Sequence, residues 1–316
     1  MPRLDLRASF FGGPGFTLYH AWGPNSALSL SPHFHDEYLI CAQIQGHEEC
    51  EVSGKLHQFA AGDVVLINPQ QVHTGNVKGS EQLEYISLYV DRSLVQGLAA
   101  ADGLSSHTPE FTVVKDSDQG ALIEKLQTLL DLVREQAGTQ IFPLPKTPAD
   151  PEIELPTKFA SGAPQRDAPS PPIAIAVESA LHDVVFHAFD SLSNLRRPVL
   201  RSTHRVGHRK IARSMDYIRS LGSEDPSKIS LDELAEVAGL SKYHFLRQFS
   251  QVVGMTPGAY LRTLRLCHAA RKLRTTEMPI LEIALSVGFA DHPSFSRAFA
   301  RHMGMTPSEY QRLGPA

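Results

Sequence analysis

The side chains whose types and spacing could do chemistry fall into two sets, one of histidine and glutamate, one of arginine. In Pro32-His33-Phe34-His35-Asp36-Glu37, the residues His33, His35 and Glu37 alternate, and His73 ends a second stretch that carries Gly62, Asp63, Asn68 and Pro69. Side chains on an extended backbone point alternately to opposite faces, so positions 33, 35 and 37 would share one face. Imidazole and carboxylate groups on one wall, joined by His73 from another strand, could bind a metal ion or a polar ligand. A polar cluster with a purely structural role is the plainer alternative. Far along the chain, Phe245, Arg247 and Phe249 return as Phe295, Arg297 and Phe299. An arginine held on a helix can pair bidentately with guanine O6 and N7 in a major groove.

The arginines are positioned by a repeated unit. Gly254-Met255-Thr256-Pro257-Gly258-Ala259-Tyr260 reappears as Gly304-Met305-Thr306-Pro307-Ser308-Glu309-Tyr310. Ser230 and Glu233 form the pattern of a capping box, which predicts a helix over 231–238 ended by Gly239. Ser241 caps a second helix over 242–253, so 230–253 reads as a helix-turn-helix. The copy spans 280–303, with a turn at Gly288-Phe289-Ala290-Asp291 one residue longer than the first. A long helix over about 257–274 joins the two. At 100° per residue, Phe245, Phe249, Val252 and Val253 gather on the buried side of the first reading helix. Tyr243, His244, Arg247 and Gln251 point away, with Leu246 on the flank. In the second helix Phe295, Phe299, His302 and Met303 turn inward, while Pro293, Ser294, Arg297 and Arg301 turn outward. Ser241, Lys242, His244, His292, Ser296 and Arg301 are placed for phosphates or base edges. Any surface helix has one apolar and one polar face. Two aligned copies on one rigid linker go further, because they could enter successive major-groove segments one turn, ~34 Å, apart.

The histidine set belongs to a different kind of chain. Residues 1–115 carry short runs rich in Val, Ile, Tyr and Leu between glycine-containing turns, which predicts a β-barrel or sandwich. Residues 116–204 read as a helical region. Leu122, Leu126, Leu129, Leu130 and Val133 form a helical stripe within 120–136 that either covers the barrel or pairs with a second chain. Nine prolines crowd 138–172, which reads as a flexible insertion, and a further helix is expected over 173–195. Residues 205–316, with another helix opening at about 208–221, hold 16 Lys/Arg against 10 Asp/Glu, so the basic end of a net-acidic chain suits a polyanion. Three cysteines without a Cys-x-x-Cys argue against a disulfide framework or zinc knuckle. No apolar run approaches the roughly 18 residues of a membrane span, and no secretory signal is expected at the N-terminus. Together these point to the cytoplasm.

The Gly-Asp…Pro…His stretch resembles the second signature of the cupin barrel, and the His-x-His resembles the first. The glutamate position of the first cupin signature is Ile40, which weighs against a metal, so a metal-free pocket without cofactor is the reading taken. Gly288 to Tyr310, together with the two N-terminal stretches, resembles the AraC/XylS family of bacterial transcription regulators over the whole chain except the proline-rich segment. That resemblance implies a multidomain protein: a cupin-like β-barrel with helices, then an all-α domain with two helix-turn-helix motifs joined by a long helix. It implies double-stranded DNA, a small-molecule effector and RNA polymerase as partners, and dimerisation through the N-terminal half. Base-reading positions map to Tyr243, Leu246 and Arg247, and to His292, Pro293, Ser294, Ser296 and Arg297. The alternative function is a metal-dependent cupin enzyme with an appended helical domain.

Overall fold

The computed structural model describes residues 7–24, 29–77, 82–101, 109–137, 142–143, 175–195, 206–222, 229–303 and 306–312. The N-terminal part is antiparallel β-structure. Its strands are β1 (Arg7–Gly13), β2 (Phe16–Pro24), β3 (Ser29–His33), β4 (Tyr38–Gln45), β5 (His47–Val52), β6 (Lys55–Ala60), β7 (Val64–Ile67), β8 (His73–Val77) and β9 (Gln82–Val90). Helix α1 (Arg92–Ala101), the short β10 (Lys115–Asp116), α2 (Gly120–Ala137), β11 (Phe142–Pro143) and α3 (Ile175–Leu192) follow. A seven-stranded sheet runs β10-β7-β4-β9-β2-β1-β11, and a four-stranded sheet runs β3-β8-β5-β6.

Alternation along the strands gives the large sheet two apolar faces. Leu18, Ile40, Ala42, Leu66, Ile86 and Leu88 face α2 and α3, burying Leu122, Leu126, Leu129, Leu130 and Val133. The leucine stripe of α2 is therefore spent on its own domain. Tyr19, Leu39, Cys41, Val65, Ile67, Leu83 and Tyr85 face the small sheet's Cys50, Val52 and Phe59, the interior of the barrel. Helix α1 was not foreseen, and 33–37 is not one continuous strand: β3 stops at His33 and the chain bends before β4. Within the proline-rich 138–172, Phe142 and Pro143 pair with Ala8 and Arg7 as an edge strand, which an entirely flexible insertion would not do. The rest of that reading, and most of the basic connector, lie outside the described residues.

The C-terminal part is helical: α4 (Val206–Gly222), α5 (Leu231–Ala238), α6 (Lys242–Val253), α7 (Pro257–Thr275), α8 (Ile280–Ser286), α9 (His292–Met303) and α10 (Pro307–Arg312). Each start and stop has a local cause. Ser230 accepts from the Glu233 N–H at 3.2 Å, and the Ser230 N–H donates back to the Glu233 carboxylate at 3.0 Å. Gly239 closes α5 at φ 61°, a left-handed conformation that costs glycine little. Thr256 caps α7 ahead of Pro257. The turn between α8 and α9 is longer than that between α5 and α6, as the changed repeat offset predicts. Two cores form, one around Phe245, Phe249, Tyr260 and Leu264, the other around Phe295, Phe299, Ile283 and Tyr310.

Candidate functional site

The two copies agree in geometry. The rings of Phe245 and Phe249 lie 5.4 Å apart, and those of Phe295 and Phe299 also lie 5.4 Å apart. These inward pairs fix the rotation of α6 and α9. The opposite faces carry Ser241, Lys242, Tyr243, His244 and Arg247, and His292, Pro293, Arg297 and Arg301, all exposed. Tyr243 is 71% exposed, a high value for an aromatic side chain, and its ring meets that of His244 edge-on at 5.9 Å. Leu246, Ser294 and Ser296 are half-buried on the flanks.

Several of these groups have local duties. Lys242 Nζ lies 2.8 Å from Asp232 Oδ1, tying α6 to α5, and Ser241 Oγ lies 2.8 Å from His244 Nδ1. The Ser294 N–H donates to Asp291 Oδ1 at 2.7 Å, which caps α9. Those bonds from Ser294, with Arg297 and His292 nearby, hold the Asp291 carboxyl below its ordinary range. Among the described residues, Arg247, Arg297 and Arg301 make no salt bridge or hydrogen bond within the chain. Two arginines escaped the sequence reading. Arg262 and Arg265 on α7 border a groove of about 590 Å³ between the two helix pairs, beside Ser230, Phe289 and Ser294. Their i,i+3 spacing on the linking helix was the available signal.

In the barrel, His33, His35 and His73 come together. Their ring centroids lie 4.3 Å (His33–His73) and 5.0 Å (His35–His73) apart. His35 also packs edge-on against Tyr89 at 5.1 Å. Nδ1 of His35 lies 2.9 Å from the Glu37 carbonyl, and Nδ1 of His73 lies 2.9 Å from the Gln71 carbonyl. A carbonyl can only accept, so each Nδ1 carries the proton and each Nε2 offers a lone pair in the neutral ring. Burial, then the His33 and His35 imidazoles, hold His73 well below its ordinary pKa. Glu37 is buried, with its carboxylate within electrostatic range of Tyr89. Among the described residues no group of three or more His, Cys, Asp or Glu is arranged to hold a metal ion.

The histidine loop also touches the helical domain. Phe34, between His33 and His35, packs with its ring tilted against Tyr260 of α7 at 4.5 Å and shares its core. Tyr260 OH donates to the Gln70 carbonyl at 3.4 Å. Gln70 itself has φ 61°, unusual for a side-chain-bearing residue, donates its N–H to the His35 carbonyl at 2.8 Å and its amide to Asp36 at 3.0 Å. His302 at the end of α9 is held down to about 3 by burial and by His33 and His35. The sequence reading gave His302 an inward side but not this neighbour.

Residues 13–142 match the model of the AraC-like ligand binding domain, and residues 234–313 that of a helix-turn-helix domain. Regulatory protein SoxS of Escherichia coli K12 is 38% identical over 106 residues, 34% of this chain and 97% of SoxS. The HTH-type transcriptional activator AarP of Providencia stuartii is 39% identical over 85 residues, 27% of this chain, which spans 63% of AarP. A crystal structure of ToxT from Vibrio cholerae, 14% identical, superposes over 95% of this chain and 97% of ToxT with a TM-score of 0.47. The sequence relatives are regulators, which sets aside the enzyme reading. Among the described residues no helix is long and apolar enough to cross a membrane.

Proposed function

This chain belongs to the AraC/XylS family of transcription regulators, a DNA-binding regulator with an N-terminal ligand-binding domain, and we propose that it reads its operator with both α6 and α9. The observation that carries this reading is the equivalent outward placement of Arg247 and Arg297 on helices of matched inner packing. Arg247 and Arg297 read bases; Tyr243, Leu246, His292, Pro293, Ser294 and Ser296 shape the fit; Ser241, Lys242, His244 and Arg301 hold phosphates. Leu246 offers only apolar contact, suited to a thymine methyl.

The barrel holds the effector. Its signal leaves through the loop that bears His33 and His35, because Phe34, Asp36 and Gln70 of that region bear on α7. A ligand that moves this loop would shift the balance between arrangements of the helix pairs. The regulator acts in the cytoplasm on RNA polymerase at its promoter. The α2 stripe is buried in its own domain, so a homodimer would use other surface, and the exposed Ile175 and Phe186 of α3 supply it. The test of DNA reading is binding of the full chain to promoter fragments from beside its own gene. Footprints over two consecutive major-groove segments support it; a footprint over one segment only, unchanged by Arg297→Ala, overturns the role of α9.

A further inference from the structure

The interior of the barrel contains a carboxyl group that, among the described residues, nothing pairs. Glu48 shares the inward parity of Cys50 and Val52 on β5, which lie in the barrel core. Its side chain reaches within electrostatic range of Cys41, Tyr85 and Tyr89 on the opposite sheet. Among the described residues its carboxyl makes no hydrogen bond or ion pair, and burial alone pushes it up to about 7. Glu48 and Tyr89 nevertheless keep accessible surface.

Aromatic rings stand around Glu48. Tyr19 and Tyr85 are 5.6 Å apart and tilted by 51°, with Tyr89 next along the same face of β9. Phe59 lies across from Glu48 in the β5–β6 register. The negative faces of such rings attract cations. One cation already uses them: Lys115 Nζ lies 5.9 Å from the Phe59 ring centroid, anchored to Asp63 at 2.7 Å. An anionic ligand would instead meet the carboxyl groups of Glu48 and Glu37.

We propose that the barrel takes an organic cation, an alkylammonium compound whose charged nitrogen pairs with Glu48 between Tyr19, Tyr85 and Tyr89. This rests on the reading of the barrel as the effector site. Burying an unpaired carboxylate is costly, so the empty site favours the protonated acid, and a bound ammonium would release that proton. The thiols and phenols facing Glu48 stay protonated between pH 6 and 8. Cys41 and Tyr19 are each pushed up to about 12, and Cys50, Tyr85 and Tyr89 are raised too. Burial lowers His57 on β6 and, much further, His73 on β8.

The test is calorimetry and thermal shift on the full chain with choline and butylamine, set against 3,3-dimethyl-1-butanol, the neutral isostere of choline, and butyrate. The cations are expected to raise the melting temperature and release a proton, seen as a buffer-dependent heat near neutral pH. Binding is expected to weaken about tenfold from pH 8 to pH 6 and by about as much in Glu48→Gln. Equal stabilisation by the neutral isostere, stabilisation by butyrate, or no shift with either cation overturns the assignment. Operator affinity of ligand-free Glu48→Gln is expected to equal that of the wild type. If that holds while the cations fail, the ligand class falls and the DNA-reading function stands.

Discussion

At the scale of the residue, the two arginines carry the DNA argument. Arg247→Ala and Arg297→Ala are each expected to weaken operator binding by about 1–3 kcal/mol and to relax preference at one base pair. Fluorescence anisotropy with operators substituted one position at a time measures both. A uniform loss at every position would mean that the arginine holds a phosphate. These two residues were legible because repetition turns one weak amphipathic helix into a comparison. The inward Phe pairs set the phase of each helix, and the outward arginines follow from it. Glu48 was not legible. Its neighbours across the barrel, Cys41, Tyr85 and Tyr89, lie on β4 and β9, and only closure of the two sheets brings them together. The histidines are an intermediate case. Their common side was legible, but the bend after His33 and the approach of His302 depend on docking of the second domain.

At the scale of the element, caps rather than burial fix where α5 begins and ends. Ser230→Ala removes the side chain that accepts the Glu233 N–H and is expected to cost about 1 kcal/mol of stability. Gly239→Ala probes the other end. An added Cβ would meet nothing within 4 Å, so its cost is purely that of the left-handed backbone, about 1–2 kcal/mol. Denaturant melts of the full chain, followed by helical circular dichroism, check both. No loss in either variant would show that packing of Leu234 and Ala238 alone sets this helix. Helix limits were readable here because Ser230, Gly239, Thr256 and Pro257 act within one turn of themselves. Helix α1 follows β9 with only Asp91 between them, so no loop set it off in the sequence.

At the scale of the whole molecule, the repeat is used unequally. Tyr260 and Tyr310 occupy equivalent places after α6 and α9, yet Tyr310 is buried among helices, whereas Tyr260 meets Phe34 and the Gln70 carbonyl of the barrel. The first copy thus meets the ligand-binding domain through Tyr260, and the second reaches the same loop through His302. Acid should loosen that junction. Burial and neighbouring cations lower His268 to about 4, and burial with His33 and His35 lowers His302 to about 3. A histidine depressed in the folded state binds its proton more readily when released. Its contribution is therefore complete above the ordinary value near 6.5 and is lost as pH falls from there toward 3–4. At pH 5 a fully neutral His302 would oppose unfolding by up to about 2 kcal/mol less than at pH 7. The melting temperature of the wild type is expected to drop between pH 7 and pH 5, and that of His302→Gln to drop less. Identical pH profiles would place the acid sensitivity elsewhere. A profile flattened in His302→Gln would identify the end of α9, against His33 and His35, as part of the seam between ligand and DNA.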